Sequence, residues 1–202
     1  MDFFSEVRRR REELGLGMFE ELDLRIFKKH VPKSYSPQES PVAMAIGAFS
    51  VKEGSVIRAF HKDQFGKGCR VFACNPRIVG RTEDYDYTLS GQMEGDARGD
   101  YAWDLPFLDL EIPLQPYDFV YIRNPDLIDI PKWGSVFRMG IERLAETGIL
   151  ATIIRESDST KYNRLKDHLN QRYQIVPMQP DQKIDTPSMQ SFYDTISFFG
   201  KQ

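Results

Sequence analysis

The sequence predicts an α/β fold, a doubly wound and mostly parallel sheet with a C-terminal antiparallel strand. The sheet lies in a three-layer α/β/α sandwich preceded by two N-terminal helices. Three observations carry this. Residues 117–157 read as strand, polar loop, amphipathic helix and second strand, which is one βαβ unit with parallel strands and a right-handed crossover. Two more apolar runs, 42–49 and 69–74, stand on either side of a helical pattern and repeat that rhythm. The chain then closes on two short strand-like runs, 174–178 and 191–199. The link between them contains Pro180 and Pro187 and no helical periodicity, so these two strands are expected to be antiparallel.

Composition sets outer limits. A chain of 202 residues suits one domain with an N-terminal appendage, here a helical cap and connector over 1–41 and the main domain over 42–202. Apolar content of 41% and charged content of 28% are those of an ordinary globular protein. A formal charge of −3 offers no global electrostatic case for nucleic acid. The two cysteines, Cys69 and Cys74, lie an odd number of positions apart on one predicted strand, face opposite sides of it and cannot pair with each other. That suits a reducing compartment. There is no signal-peptide pattern at the start and no apolar run long enough to span a bilayer, so the expectation is a cytoplasmic protein with no membrane partner.

The elements follow in order. Residues 2–13 form a short amphipathic helix with Phe3, Phe4 and Val7 on one side. Its basic run Arg8 to Arg11 reads as a solvated face, offset by Glu6, Glu12 and Glu13. A second helix spans about 18–30, with Phe19, Leu22, Ile26 and Phe27 in register. Pro32, Ser34, Ser36, Pro37, Ser40 and Pro41 mark a connector. The run 42–49 is a buried strand and 50–64 a helix with Val56, Ile57 and Phe60 inward. Residues 69–74 form the next strand, ended by Asn75-Pro76. The segment 77–90 shows no clear pattern, and 92–94 is the candidate third strand. A loop with Tyr101, Trp103, Leu105, Pro106 and Phe107 follows, its aromatics read as anchors.

In the βαβ unit, Trp133, Val136, Phe137, Ile141, Leu144 and Ala145 follow at helical spacing. Gly148 stands where a C-cap glycine belongs. Residues 149–154 are a continuous apolar and β-branched run, the pattern of a strand buried on both faces. Ser157, Asp158 and Ser159 offer N-cap oxygens to a last helix whose stripe is Tyr162, Leu165, Leu169 and Tyr173. Ligands of such sheets bind at the carboxyl ends of the strands. Those ends carry Arg123, Asn124, Pro125 and Asp126 after one strand of the unit and Arg155, Glu156 and Ser157 after the other.

Other chemistries find no support. His30, His61 and His168 are scattered over separate helices without metal-ligand spacing. No catalytic triad can be argued, and neither a phosphate-binding GxxxxGK[ST] loop nor a complete GxGxxG is present. A Rossmann-type domain for another nucleotide is therefore the weakest reading.

In this order, the chain resembles the class I S-adenosylmethionine-dependent methyltransferases over about residues 42–200. AIGAFS at 45–50 stands at the family's glycine-rich loop, and VFACNP at 71–76 at the end of its second strand. GDA at 95–97 followed by DLPF at 104–107 stands at the end of the third. YDFVYIRNP at 117–125 is similar to the fourth strand and its loop, ETGILATI at 146–153 to the approach to the fifth, and FFGK at 198–201 to the ending.

The resemblance implies S-adenosylmethionine as cofactor and a small-molecule methyl acceptor. Gly47, Ala48 and Phe49 would run beside the cofactor's methionine part and Asn75 would bond the ribose. Asp96 would accept from the adenine amino group, with Ala97 donating its backbone N–H. Asn124 would line the place where donor and acceptor meet. Methyl transfer is an in-line displacement for which the protein supplies alignment and desolvation. Three positions depart from the pattern: Ala45 where an acidic residue is usual, Phe49 where a second glycine is usual, and Asn75 in place of an acid. They motivate an alternative, a methyltransferase-like binding or assembly module without catalysis. Under either reading the partner is a small molecule, a second copy of the chain or another protein, and no catalytic residue is assigned.

Overall fold

The computed structural model describes residues 17–47, 52–75, 82–90, 116–125, 127–184 and 195–201. Four helices and seven strands make up these residues. In chain order they are α1 (Met18–His30), β1 (Val42–Ile46), α2 (Glu53–Phe65), β2 (Arg70–Asn75), β3 (Tyr87–Ser90), β4 (Tyr117–Arg123), α3 (Ile130–Glu142), β5 (Leu144–Ile154), α4 (Ser159–Tyr173), β6 (Gln182–Lys183) and β7 (Thr195–Phe199). They form one sheet in the order β3-β2-β1-β4-β5-β7-β6. Strands β1 to β5 pair in parallel, whereas β7 runs antiparallel to both β5 and β6. The predicted α/β class, the parallel βαβ unit and the reversed C-terminal strand are all present. The helix expected over 2–13, the strand over 92–94, and the loop with Tyr101, Trp103 and Phe107 lie outside the described residues.

The sheet has a packed layer on each side because alternate residues of its strands face opposite ways. Ala43, Ala45, Val71, Ala73, Phe119, Tyr121, Ala151 and Ile153 face α1 and α2. Met44, Ile46, Phe72, Cys74, Val120, Ile122, Leu150 and Ile154 face α3 and α4. Cys69 packs on the first side and Cys74 on the second, both as free thiols. Burial pushes the Cys69 thiol up to about 12, so it is a core side chain and no nucleophile. Small residues on β1 and β2 leave room for an aromatic cluster above them. Phe27 of α1 sets its ring edge-on to Phe119 at 5.2 Å, Tyr121 at 4.8 Å and Phe60 at 5.7 Å, which fastens α1 to β4 and α2.

Four local expectations need correction. Helix α3 stops at Glu142, and Leu144 and Ala145 already belong to β5. Gly148 is therefore inside a strand and is no helix cap. The two steps from Tyr117 to Phe119 span the same sheet distance as the five from Leu144 to Ile149, so β5 bulges there. A Cβ on Gly148 would stand 2.6 Å from the Tyr117 carbonyl oxygen, and close backbone approach is what requires glycine. At α4, Asp158 is the N-cap, but its side chain makes no cap bond and takes Lys161 Nζ at 3.2 Å instead. Residues 174–178 are not a strand. Gln174 turns left-handed at φ 58° and its N–H donates to Asn170 at 3.0 Å, closing α4, and the edge strand comes later, at Gln182–Lys183. The third strand is Tyr87–Ser90, within the segment whose sequence shows no clear pattern.

Candidate functional site

Strand order reverses between β1 and β4, and the crevice beyond their carboxyl ends is where such a sheet takes a ligand. Ile46 pairs with Ile122, so Gly47 and Arg123 leave the sheet at the same level. Gly47 has φ 78°, a left-handed turn that L side chains resist, and donates its N–H to the Cys74 carbonyl at 2.7 Å. Among the described residues nothing lies within 4 Å of where its Cβ would be, so the backbone is open on that side. Asn124 is also left-handed, at φ 45°, and its N–H donates to Ile153 at 3.0 Å. Both polar atoms of its side-chain amide are buried with no partner among the described residues.

The structure therefore brings Gly47 and Asn124 to one edge, with the backbone of Asn75 ending β2 beside them. Ala48, Phe49, Asp96, Ala97 and the side chain of Asn75 lie outside the described residues.

Beside this edge, on the α1 and α2 side, is a polar cluster that sequence reasoning missed. Asp23 of α1 is fully buried. Its Oδ2 accepts from Tyr121 Oη at 2.9 Å and from Arg123 Nε at 2.8 Å, while its Oδ1 is buried without a partner among the described residues. Burial raises the Asp23 carboxyl above its ordinary range, and the Arg123 guanidinium opposes that rise. Glu53, at the start of α2, is buried and accepts from Tyr85 Oη at 2.7 Å. Desolvation pushes it up to about 7, against the Tyr85 hydrogen bond and the attraction of Arg123. Glu20 of α1 accepts the Lys52 backbone N–H at 3.2 Å, which ties α1 to the entry of α2.

A signal for this cluster was present. Asp23 precedes Ile26 and Phe27 by one helical turn, and Glu53 precedes Val56 and Ile57 by one turn. Each acid thus sits on the buried stripe of its helix. The segment before β3 supplies the supports. Lys52 makes no side-chain cap, and the α2 terminus is capped from outside by Asp84, whose Oδ2 takes the Ser55 N–H at 3.0 Å. Asp86 takes the Val71 N–H at 2.6 Å and Arg58 Nη2 at 2.8 Å. Among the described residues no group of His, Cys, Asp and Glu could hold a metal ion, and no helix is long and apolar enough to cross a membrane.

The chain has the fold of the class I S-adenosylmethionine-dependent methyltransferases. One solved structure it is similar to is the plantazolicin methyltransferase BpumL in complex with S-adenosylhomocysteine. The match has a TM-score of 0.54 at 7% identity and covers 98% of this chain and 88% of that one. Another is the O-methyltransferase NcsB1 from neocarzinostatin biosynthesis, in complex with S-adenosylhomocysteine and 1,4-dihydroxy-2-naphthoic acid. Its TM-score is 0.51 at 10% identity, and the match covers 100% of this chain and 62% of that one. No protein-family model matches the sequence, and no curated protein matches it.

Proposed function

We propose that the protein is an S-adenosylmethionine-dependent methyltransferase acting on a small molecule. The observation that carries the reading is the strand order with β7 antiparallel, in which β1 and β4 are neighbours and bring the Gly47 turn and the Asn124 amide together at their carboxyl ends. The residues fit an adenosyl cofactor. Gly47 leaves its backbone approachable, and Asn124 holds two buried polar atoms in need of partners, which a bound ligand would satisfy. Asn75, Asp96, Ala97, Ala48 and Phe49 complete the set by resemblance. The cofactor supplies an electrophilic methyl group; the chain's own residues orient it and exclude water. Residues 1–41 serve as cap and connector, with α1 lying over the α2 side of the crevice. The setting is cytoplasmic, in keeping with two free buried cysteines.

Calorimetry with S-adenosylhomocysteine tests this reading. Binding in the micromolar range is expected, and no heat at high micromolar concentration would overturn it. Ala45 favours a second reading, a methyltransferase-like module without catalysis. Its side chain is buried in the sheet and offers no carboxylate at the end of β1. Tight binding of S-adenosylhomocysteine counts against that alternative.

A further inference from the structure

We propose that Glu20 of α1 is a positioning residue for the connection that runs from the Gly47 turn to α2. The inference rests on the methyl-transfer reading for what that connection holds. It goes beyond it in giving the setting of the connection to a helix outside the β-α units of the sheet. The connection is fixed at both of its described ends. At the first, the Gly47 N–H donates to the Cys74 carbonyl at 2.7 Å. At the second, the Lys52 N–H donates to Glu20 Oε1 at 3.2 Å. Only the four residues 48–51 separate Gly47 from Lys52, so a shift of either end is passed to all of them. Two of the four are Ala48 and Phe49, which the resemblance sets beside the cofactor's methionine part.

A second observation comes from Gly17. Glu20 is the third residue of α1, where a glutamate ordinarily turns back to the N-cap of its own helix. Here one of its oxygens goes to another element, and the N-cap residue leaves room for it. A Cβ on Gly17 would stand 2.3 Å from Glu20 Oε2. Gly17 has φ −79° and ψ 178°, extended backbone that any residue adopts. Its conformation therefore does not call for glycine; the Glu20 carboxylate beside it does.

The third observation is how each helix is held. The N-terminus of α2 draws its acceptors from outside. Lys52 makes no side-chain cap, Asp84 takes the Ser55 N–H, and Glu20 takes that of Lys52. Helix α1 does not depend on this bond in return. Phe27 packs it on β4 and α2, Asp23 takes Tyr121 and Arg123, and Gln179 Nε2 donates to the His30 carbonyl at 3.3 Å. Glu20 is thus the contact through which a firmly seated helix sets where the connection ends.

The test is calorimetry on wild type, Glu20→Ala, Glu20→Gln and Gly17→Ala with two probes, S-adenosylhomocysteine and methylthioadenosine, which lacks the amino-acid end. Glu20→Ala should lose about fivefold or more in S-adenosylhomocysteine affinity and keep its affinity for methylthioadenosine. Glu20→Gln offers an amide oxygen to the same N–H and should return to within about twofold of wild type. Gly17→Ala keeps Glu20 but crowds its carboxylate away from Lys52, so it should reproduce the Glu20→Ala pattern. It decides the matter if Glu20→Ala does not fold. A merely structural role would lower both affinities together or leave both alone, and either result in the folded variants would overturn the proposal. Should wild type bind neither adenosyl compound, the methyl-transfer reading falls, and hydrogen exchange at the Lys52 amide decides the positioning role. Faster exchange in Glu20→Ala and Gly17→Ala than in wild type and Glu20→Gln supports it, and equal exchange in all four overturns it.

Discussion

Two polar clusters lie at opposite ends of the strands. At the amino end, Tyr35 Oη and His61 Nε2 are 2.6 Å apart, and His61 Nδ1 lies 2.8 Å from the Ile57 carbonyl. Asp118 accepts the Val42 N–H at 2.9 Å and the Gln38 N–H at 2.7 Å. At the carboxyl end, Asp23 and Asn124 keep buried polar atoms with no partner among the described residues. Asp23 and Glu53 are buried as deeply as His61 and Asp118, so burial alone does not separate structure from site. Satisfaction does. The lower cluster is complete and fastens the connector to β1 and β4, whereas the upper one is incomplete as it stands, as expected of groups awaiting a ligand.

The largest effect should come from the complete cluster. Asp118→Ala removes the acceptor of one buried and one part-buried backbone N–H group and should cost about 2 kcal/mol in urea unfolding. A cost under about 1 kcal/mol would mean that water replaces Asp118 and would blur the contrast.

Next is Gly47→Ala, which forces a left-handed alanine at a cost of about 1–2 kcal/mol. Its Cβ meets nothing among the described residues, so any loss of S-adenosylhomocysteine affinity beyond that strain reports ligand volume at the turn. Equal affinity in wild type and variant would move the ligand away from Gly47.

The two ends should also differ in their response to pH. Glu53 is raised from 4.5 to about 7, so the folded state holds its proton more tightly than the unfolded chain. The stability this contributes is full below about pH 4.5 and is lost as pH rises through about 7. His61 is lowered from 6.5, chiefly by burial, so the folded state resists its proton and stability falls as pH drops below about 6.5. Glu53→Gln should therefore gain on wild type between about pH 5 and about pH 8, by about 2 kcal/mol, in denaturant unfolding at several pH values. A constant difference would show that Glu53 titrates normally.

The smallest effect on stability belongs to Asn124→Gly. It keeps the left-handed backbone and discards an amide that bonds nothing among the described residues, so stability should stay within about 0.5 kcal/mol. Ligand affinity should nevertheless fall, and a calorimetric titration with no such fall would return Asn124 to a purely conformational role.

Legibility followed how local the cause was. Strands β1, β2, β4 and β5 could be read because each is an apolar run whose burial needs no partner to be foreseen. Strand β3 escaped because its short Tyr-Thr-Leu-Ser segment pairs, among the described residues, only with β2, and its approach is spent on capping α2 through Asp84 and holding β2 through Asp86. Gly148 was misread because a glycine after an amphipathic run fits a helix cap as well as a bulge. Only the Tyr117 carbonyl beside it decides between them. In the candidate site, Gly47 and Asn124 were legible from their places at strand ends. Asp23, Glu53, Tyr85 and Arg123 were not joined, since they come from α1, α2, the approach to β3 and β4.

By itself the sequence determined the alternation of strand and helix, the two-sided burial of the sheet and the reversal at its end. These follow from periodicity and from whether a connection can house a crossover helix. The tertiary structure alone decided where the charges meet. A carboxylate on a helical stripe is a local anomaly until the fold brings Arg123 to one of its oxygens and leaves the other bare. The energy of such a group depends on what surrounds it, and its surroundings are assembled from segments far apart in the chain.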